Sequence, residues 1–277
     1  MHTLCNNESN SFTRHSSYYS NRSSALASLR TRSSVRPPIY LSVTKGLVPD
    51  TVFAMYLCRG DISKTNCSIC VRTATSEIRE SCTYQKEALI FYEECMVRYS
   101  DNSFFGLLDG PKSNAILYSP DNFSATSRFQ QTISGKMDQL IPRAASTTSL
   151  PKPYFVQDKQ RLTESGSSYT LDSVVQCRPD LDPSNCTICL RLAFQRILDC
   201  CSRSRSVHNF RPECLIKYHI KPSPLNVPSH GVIKVNVRLL HELGDYHTDS
   251  KDERPHRYFD GTVLSFIDGD TIDGRHD

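Results

Sequence analysis

The sequence predicts an α+β fold of two tandem, disulfide-stapled domains, each with two helices packed on an antiparallel β-sheet. Three observations support this fold class. The twelve cysteines fall into two sets of six, and the spacing C-x8-C-x2-C occurs at 58–70 and again at 177–189. Each copy of that motif opens a helical pattern that is followed by a strand pattern. A chain of 277 residues is long enough for two modest domains.

The cysteines divide between the two halves of the chain. The first set is Cys5, Cys58, Cys67, Cys70, Cys82 and Cys95, and the second is Cys177, Cys186, Cys189, Cys200, Cys201 and Cys214. An internal repeat of about 119 residues relates the halves, because the segment 49–82 aligns with 168–201 and the later cysteine spacings also agree. Two separately stapled domains would need this arrangement.

A helix is predicted from the second cysteine of each motif onward. The apolar residues that recur there at intervals of three and four in the first repeat are Cys67, Cys70, Ala74, Ile78 and Cys82. That spacing marks one face of a helix, so the cysteines are expected on its buried face. Asn66 and Asn185 stand where an N-cap residue belongs. A further helix is predicted upstream in each repeat, within 23–34 and 128–146.

Strands are predicted on both sides of this helix. Apolar and polar residues alternate in "FRPECLIKYHI" (210–220), which is typical of a half-buried antiparallel strand, and "ALIFYEECMVRYS" (88–100) is the counterpart in the first repeat. The apolar runs "TVFAMYLC" (51–58) and "YTLDSVVQC" (169–177) predict another strand. Each repeat is therefore expected to place helices on one face of an antiparallel sheet.

The domain boundaries follow from the repeat and from the turn-forming segments. We expect a first domain at 1–106, a linker at 107–124, a second domain at 125–220, and a tail at 221–277. The tail contains no cysteine and matches neither repeat, and its polar composition is typical of a disordered segment.

Composition narrows the function classes. The formal net charge is +4 with both signs mixed throughout, which is too weak a bias to indicate nucleic-acid binding. No segment approaches the roughly 18 apolar residues of a membrane span. The sequons at Asn7, Asn21 and Asn122 favour an extracellular protein, although "MHTLCNNESN" has no signal-peptide pattern. We therefore expect an extracellular location and a true start that lies outside this sequence.

The thiols allow three interpretations. A zinc site would need a second C-x2-C or a His pair, and neither occurs within a repeat. A catalytic thiol would need a basic partner in a recognisable motif, and no such motif is present. Disulfides account best for the pattern, because small domains gain about 2–4 kcal/mol from each bridge. The spacing alone leaves their pairing open.

The tripeptide Arg59-Gly60-Asp61 raises an adhesion hypothesis. The second repeat has Arg178-Pro179-Asp180 at the same place. A charged loop between Cys58 and Cys67 is the preferred interpretation.

The repeated motif, with "GLVPDTVFAMYLCRGD" and "KEALIFYEECMVRYSDNSFFG" around it, resembles the plant salt-stress-response/antifungal domain over about residues 1–220. This ginkbilobin-homologous domain occurs in cysteine-rich repeat secretory proteins and in the ectodomains of cysteine-rich receptor-like kinases and plasmodesmata-located proteins. The resemblance implies the pairs Cys5–Cys82, Cys58–Cys67, Cys70–Cys95, Cys177–Cys186 and Cys189–Cys214. It leaves Cys200 and Cys201 over, either paired with each other or with one thiol free.

Some family members bind mannose through an Asn, an Arg and a Glu. Asn6 matches the first of these positions, whereas Leu89 and Ser100 replace the other two. The second repeat has His208 and His219 there, which could hydrogen-bond a sugar but are expected to face solvent. Leu and Ser supply neither the guanidinium nor the carboxylate that orients a sugar's hydroxyls at these positions.

These observations predict a secreted, non-enzymatic binding or signalling module of plant stress or defence, without cofactor or metal. The alternatives are a mannose-type carbohydrate-binding antifungal protein, a truncated receptor-kinase ectodomain and an intracellular zinc protein. The expected partner is a glycan or an apoplastic protein, with homo- or hetero-association through the domain pair.

Overall fold

The computed structural model describes residues 1–6, 11–34, 37–108, 114–119, 127–148, 152–164, 167–223 and 265–268. The first unit contains β1 (His2–Cys5), α1 (Ser17–Ser34), β2 (Tyr40–Lys45), β3 (Val52–Cys58), α2 (Lys64–Ser81), β4 (Ala88–Phe91) and β5 (Cys95–Ser100). The second unit contains β6 (Ala115–Tyr118), α3 (Ser127–Ser146), β7 (Phe155–Glu164), β8 (Ser167–Cys177), α4 (Pro183–Cys201), β9 (Ser206–Phe210) and β10 (Cys214–Pro222). A last strand, β11 (Ser265–Asp268), comes from the tail.

The two sheets share one topology. The first has the order β1-β4-β5-β3-β2, and the second has β11-β6-β9-β10-β8-β7, so the second repeats the first and adds β11 at its edge. All neighbouring strands among the described residues pair antiparallel. The α+β fold class predicted from the sequence is therefore confirmed.

Each sheet packs a pair of helices on one face. In the first unit the helices pack on the face that carries Tyr56, Ile90, Val97 and Tyr99. In the second unit the corresponding core joins both helices to residues such as Ile216. These cores form because the apolar positions of each helix recur at intervals of three and four and meet the alternating apolar face of a strand.

The opposite faces of the two sheets pack against each other. The apolar residues between them are Met55, Leu57, Leu89, Phe91, Met96 and Phe104 of the first unit and Ala115 and Phe210 of the second. All six residues of β5 are buried as a result. The prediction of half-buried strands is therefore wrong for β5, because its second face is covered by the other unit instead of by water.

Two predicted strands are hairpins. The segments 88–100 and 210–220 each turn back once, at Tyr92–Glu94 and at 211–213. The Tyr92 N–H donates to the Cys95 carbonyl oxygen at 2.8 Å, and the Arg211 N–H donates to the Cys214 carbonyl oxygen at 2.9 Å. A single strand over 88–100 would place Leu89 and Val97 on the same face, but Leu89 lies in the cluster between the sheets and Val97 in the core under the helices, because the turn shifts the alternation between the two arms.

The predicted N-caps are also wrong. The helix α2 begins at Lys64 and α4 at Pro183, so Asn66 and Asn185 lie inside the first turns. The caps are Ser63 and Asp182, whose side-chain oxygens accept the N–H groups of those asparagines at 3.1 and 2.9 Å.

The linker and the tail differ from the expectation where the structure describes them. Ala115–Tyr118 fall inside the predicted linker but form β6, because their backbone pairs with β9 in the way that β1 pairs with β4. In the tail, Ser265–Asp268 form β11, which pairs with β6. The remaining tail residues from 224 onward, predicted to be disordered, lie outside the described residues.

Candidate functional site at the seam between the two units

The seam is the surface where the facing sheets and the loops 59–61 and 178–180 meet. In the first loop, the Gly60 N–H donates to Gln176 Oε1 at 2.9 Å, and Gln176 Nε2 donates to the Cys58 carbonyl oxygen at 3.0 Å. Gln176 is fully buried. A Cβ at Gly60 would lie 2.4 Å from the ring of Phe155, so only glycine permits this approach. The Arg59-Gly60-Asp61 tripeptide is therefore part of an interdomain contact.

The loop 178–180 makes the reciprocal contact with the first unit. Arg178 donates to the carbonyl oxygens of Phe104 and Leu107 at 2.8 and 3.2 Å. Asp180 accepts the Gly106 N–H at 2.9 Å and also pairs with Arg178 at 2.5 Å. Each repeat thus uses the loop after the third strand of its unit along the chain, β3 or β8, to contact the other repeat.

A charged cluster lies beside the first of these loops. Lys217 Nζ is 2.6 Å from Glu93 Oε1, and an Arg59 guanidinium nitrogen is 2.8 Å from the Glu93 carbonyl oxygen and 3.6 Å from its carboxylate. Burial pushes the pKa of Glu93 upward, but Lys217 and Arg59 outweigh that effect and hold this pKa below its ordinary value. Glu93 is therefore an anion held between cations of both units.

His208 lies in the seam and not on a solvent-facing surface, which corrects the prediction. Its ring centroid is 3.6 Å from that of Phe210, and neither ring nitrogen has a hydrogen-bond partner among the described residues. Burial, with the positive charges of Lys217 and Arg59, lowers the pKa of His208 well below 6.5. The ring is consequently neutral in the folded protein. The sequence gives no sign that His208 is buried, because it does not reveal that this face of the strand packs against the other unit.

The residues at the mannose-type positions do not converge on an open site. Leu89 is buried in the apolar cluster of the seam. Ser100 is buried and accepts the N–H of Asn102 at 3.1 Å. His219 in the second unit is half-buried on β10.

A different polar cluster forms around Asn6. Its Nδ2 donates to Glu87 Oε2 at 2.9 Å, and Arg98 donates to Glu87 Oε1 at 2.7 Å. The Arg98 guanidinium also lies 4.2 Å from the centre of the Phe104 ring. An amide, a carboxylate and a guanidinium thus come together. Sequence reasoning missed Glu87 because this residue precedes β4 and has no place in the alternating pattern.

The cysteines form six disulfides. In the first unit, Cys5–Cys82, Cys58–Cys67 and Cys70–Cys95 join strands β1, β3 and β5 to α2 or its C-cap. In the second unit, Cys177–Cys186 and Cys189–Cys214 join α4 to β8 and β10, and Cys200 pairs with Cys201. Cysteines left free, or clusters of His, Cys, Asp and Glu suited to a metal ion, are not found in the part of the chain that the structure describes.

Tyr118 explains the unusual pair in the second unit. Cys5 pairs with Ala88 in the register of the first sheet, and Tyr118 pairs with the equivalent Val207 in the second. Cys201 corresponds to Cys82 and would need a thiol at the Tyr118 position to form the matching bridge. Its partner is instead its neighbour, Cys200.

Of the predicted glycosylation sites, only Asn21 lies within the described ranges; Asn7 and Asn122 lie outside them. Asn21 Nδ2 donates to the Asp50 carbonyl oxygen at 2.8 Å, and Gly46, at φ 79°, approaches the same amide closely. The Asn21 side-chain nitrogen, to which a glycan would be attached, is therefore hydrogen-bonded and closely packed in this structure.

Comparisons with known proteins agree on one family. A model of the salt stress response/antifungal domain matches residues 4–102 and 118–221. The chain is similar to cysteine-rich repeat secretory protein 8 of Arabidopsis thaliana, with 48% identity over 244 residues, 86% of this chain and 85% of the relative. It is 40% identical over 226 residues to cysteine-rich repeat secretory protein 59 of the same plant, covering 81% of this chain and 77% of that relative.

The fold is that of a tandem DUF26 ectodomain. The crystal structure of this ectodomain from the Arabidopsis thaliana cysteine-rich receptor-like protein PDLP8 superposes with a TM-score of 0.64 at 24% identity, covering 80% of this chain and 98% of that one. Within the described residues, no helix combines the length and apolar composition that a bilayer span requires.

Proposed function

Because the chain belongs to the salt stress response/antifungal family, we propose that it is a secreted, non-enzymatic binding module of plant stress or defence. The disulfide frame carries this proposal. The described sulfurs are all paired, which suits an oxidising extracellular compartment and provides no thiolate for nucleophilic chemistry. The relatives are themselves named secretory proteins.

The seam supports a single joint binding surface. The units 1–106 and 125–220, the second with β6 added, are proposed to be separate folding units that dock through Gln176, Lys217 and the loop 178–180. A partner would then meet one rigid body, and the glycan or apoplastic protein that it recognises would contact both repeats at fixed spacing. The same body would serve as the ectodomain of a longer receptor.

Two measurements test this proposal. The product of the full-length transcript, fused to a fluorescent protein, is expected in the apoplast after plasmolysis. Native protein treated with an alkylating reagent in the absence of reductant is expected to take up almost no label. Retention inside the cell together with labelling of most cysteines would overturn the proposal and favour the intracellular zinc protein.

Carbohydrate binding is a second candidate function, favoured by the cluster of Asn6, Glu87 and Arg98. These are the groups that donate and accept hydrogen bonds to sugar hydroxyls. A glycan array that includes mannosides would show binding that Glu87→Gln abolishes, whereas Gln157→Asn, at an exposed position on β7, would leave it unchanged. An array without signal would reject this candidate and leave a protein partner.

A further inference from the structure

We propose that the Cys200–Cys201 disulfide is a thiol-exchange site, at which a small thiol of the glutathione class opens the bond without opening the fold. The proposal concerns a modification site and stands independently of the proposed function. Three features of the structure support it: the position of the bond in the chain, the partial exposure of Cys200 and the packing around Cys201.

The bond ties no two elements of the fold together. Cys200 and Cys201 are one position apart at the end of α4, whereas the other bridges span separations of 9 to 77 residues. A disulfide stabilises a fold chiefly by closing a loop in the unfolded chain, and the gain grows with the length of that loop. Opening this bond therefore removes the smallest loop, and α4 stays attached to the sheet by Cys177–Cys186 and Cys189–Cys214.

The disulfides also differ in how far a thiol in solution can reach their sulfurs. Ten of the twelve cysteines are buried, and the two that are half-buried are Cys5 and Cys200. An attacking thiolate needs access to one sulfur of the bond that it opens. Only two bridges therefore offer a reachable sulfur, and one of them, Cys5–Cys82, holds β1 against the end of α2 across 77 residues.

The surroundings of Cys201 preserve the fold once the bond opens. Cys201 is buried in the core of the second unit. Tyr118, which stands at the register position of Cys5, packs against the same core. The thiols released from Cys200 and Cys201 have no accessible disulfide of the second unit to attack, because both sulfurs of Cys177–Cys186 and of Cys189–Cys214 belong to buried residues. Exchange is thus confined to the two neighbours.

The chemistry is a two-step exchange. A glutathione thiolate attacks Cys200 Sγ, the S–S bond breaks, and Cys201 leaves as a thiolate that takes up a proton. The product is a mixed disulfide on Cys200. A second glutathione thiolate then attacks the glutathione sulfur, which releases oxidised glutathione and the Cys200 thiol, so two glutathione molecules supply the two electrons that reduce the bond.

The test uses the whole oxidised chain in mixtures of reduced and oxidised glutathione. Alkylation of the released thiols, followed by peptide mass mapping, reports which bond opens. Cys200 and Cys201 are expected to be labelled at least about tenfold faster than any other pair, with a glutathione adduct on Cys200 and an unchanged circular dichroism spectrum.

The double variant Cys200→Ser/Cys201→Ser is the matched control, and it should lose this early labelling while the slower labelling of the other cysteines stays the same. The wild-type experiment stands even if that variant fails to fold. Earlier opening of Cys5–Cys82 or of any bridge of α4 to the sheet would overturn the proposal. So would a loss of helical signal that accompanies the release of Cys200 and Cys201.

Discussion

Gln176 of the second unit makes both of its side-chain amide hydrogen bonds to the backbone of the first, accepting the Gly60 N–H and donating to the carbonyl oxygen of Cys58. Within the described residues it is fully buried, so no water competes for these bonds. This one side chain therefore fixes the distance and the orientation between the second sheet and the loop 59–61.

Replacing Gln176 should loosen the seam. In Gln176→Ala the Gly60 N–H and the Cys58 carbonyl oxygen lose their partners while buried, which is expected to cost about 1–3 kcal/mol. Urea unfolding would show this loss, and small-angle scattering would show a larger radius of gyration. Gln157→Ala is the control, because this glutamine on β7 is exposed and its hydrogen bond to Asp172 lies in solvent, so a much smaller change is expected. Equal stability of the two variants would contradict a role for Gln176 in docking.

Mild acid should weaken the protein through His208. The pKa of His208 in the folded state lies below its ordinary value of 6.5, so the unfolded chain binds a proton that the folded chain does not. The contribution of neutral His208 to the free energy of unfolding is fully present above pH 6.5. It falls as the pH drops below 6.5, by up to about 1.4 kcal/mol per pH unit. Lys217 and Arg59 oppose protonation and Glu93 favours it.

His208→Leu tests this pH dependence, because Leu89 fills the corresponding place in the first sheet. The variant should show a flatter fall of the urea midpoint between pH 7.5 and 5, whereas the control His15→Gln, at an exposed position, should follow the wild type. The free energy of unfolding should fall further in all three proteins as the pH drops below 4.5, the ordinary pKa of a Glu side chain. The folded protein favours the ionised form of Glu93, which is why its pKa is lowered. Parallel curves for His208→Leu and the wild type down to pH 5 would exclude the mechanism.

The proposed division into two folding units predicts unequal damage from the loss of one bridge. In Cys70→Ala/Cys95→Ala the link between α2 and β5 is lost, which should cost about 2–5 kcal/mol. Hydrogen exchange should then rise throughout the first unit and, in the second, only along the seam. The matched variant Cys189→Ala/Cys214→Ala should show the mirror image. Uniform loss of protection in both variants would mean that the chain folds as one unit.

The missing bridge of the second unit can be restored. Tyr118→Cys combined with Cys200→Ser places a thiol at the register position of Cys5 and frees Cys201 to pair with it. Because this bond closes a long loop, we expect a gain of about 2–4 kcal/mol in the free energy of unfolding. Peptide mapping would identify the bond, and Cys200→Ser alone serves as the control. A free Cys201 in the double variant would show that β6 and the end of α4 do not face each other as the register implies.

Sequence patterns were sufficient for the elements of each repeat and insufficient for the contacts between repeats. The spacing of Cys67, Cys70 and Ile78 predicted α2, and alternation predicted the strands, because these signals depend only on near neighbours in the chain. The burial of His208 could not be predicted in this way. Its polar side chain occupies a strand position that resembles a solvent-facing one until a second sheet covers it.

The predictions of the helix caps and of two uninterrupted strands were wrong for local reasons. Asn66 and Ser63 are both good capping residues, and the backbone, not the residue type, decides which of them begins α2. The turn at Tyr92–Glu94 contains neither Gly nor Pro, so no turn signal interrupts that predicted strand, whereas Pro212 in the turn at 211–213 is such a signal, outweighed by the alternation after it. The cluster of Asn6, Glu87 and Arg98 joins positions more than 80 residues apart and depends on the pairing of β1 with β4.

The reciprocal contacts of the loops 59–61 and 178–180 affect which substitutions the two repeats can accept. Two copies of one chain that associate symmetrically must each be complementary to themselves, so any substitution appears on both sides of the contact. Covalent fusion removes that constraint, since each half always faces the same neighbour. Leu57 and Gln176 occupy matching places and have diverged into an apolar contact and a backbone clamp, a specialisation open to fused halves but not to identical subunits.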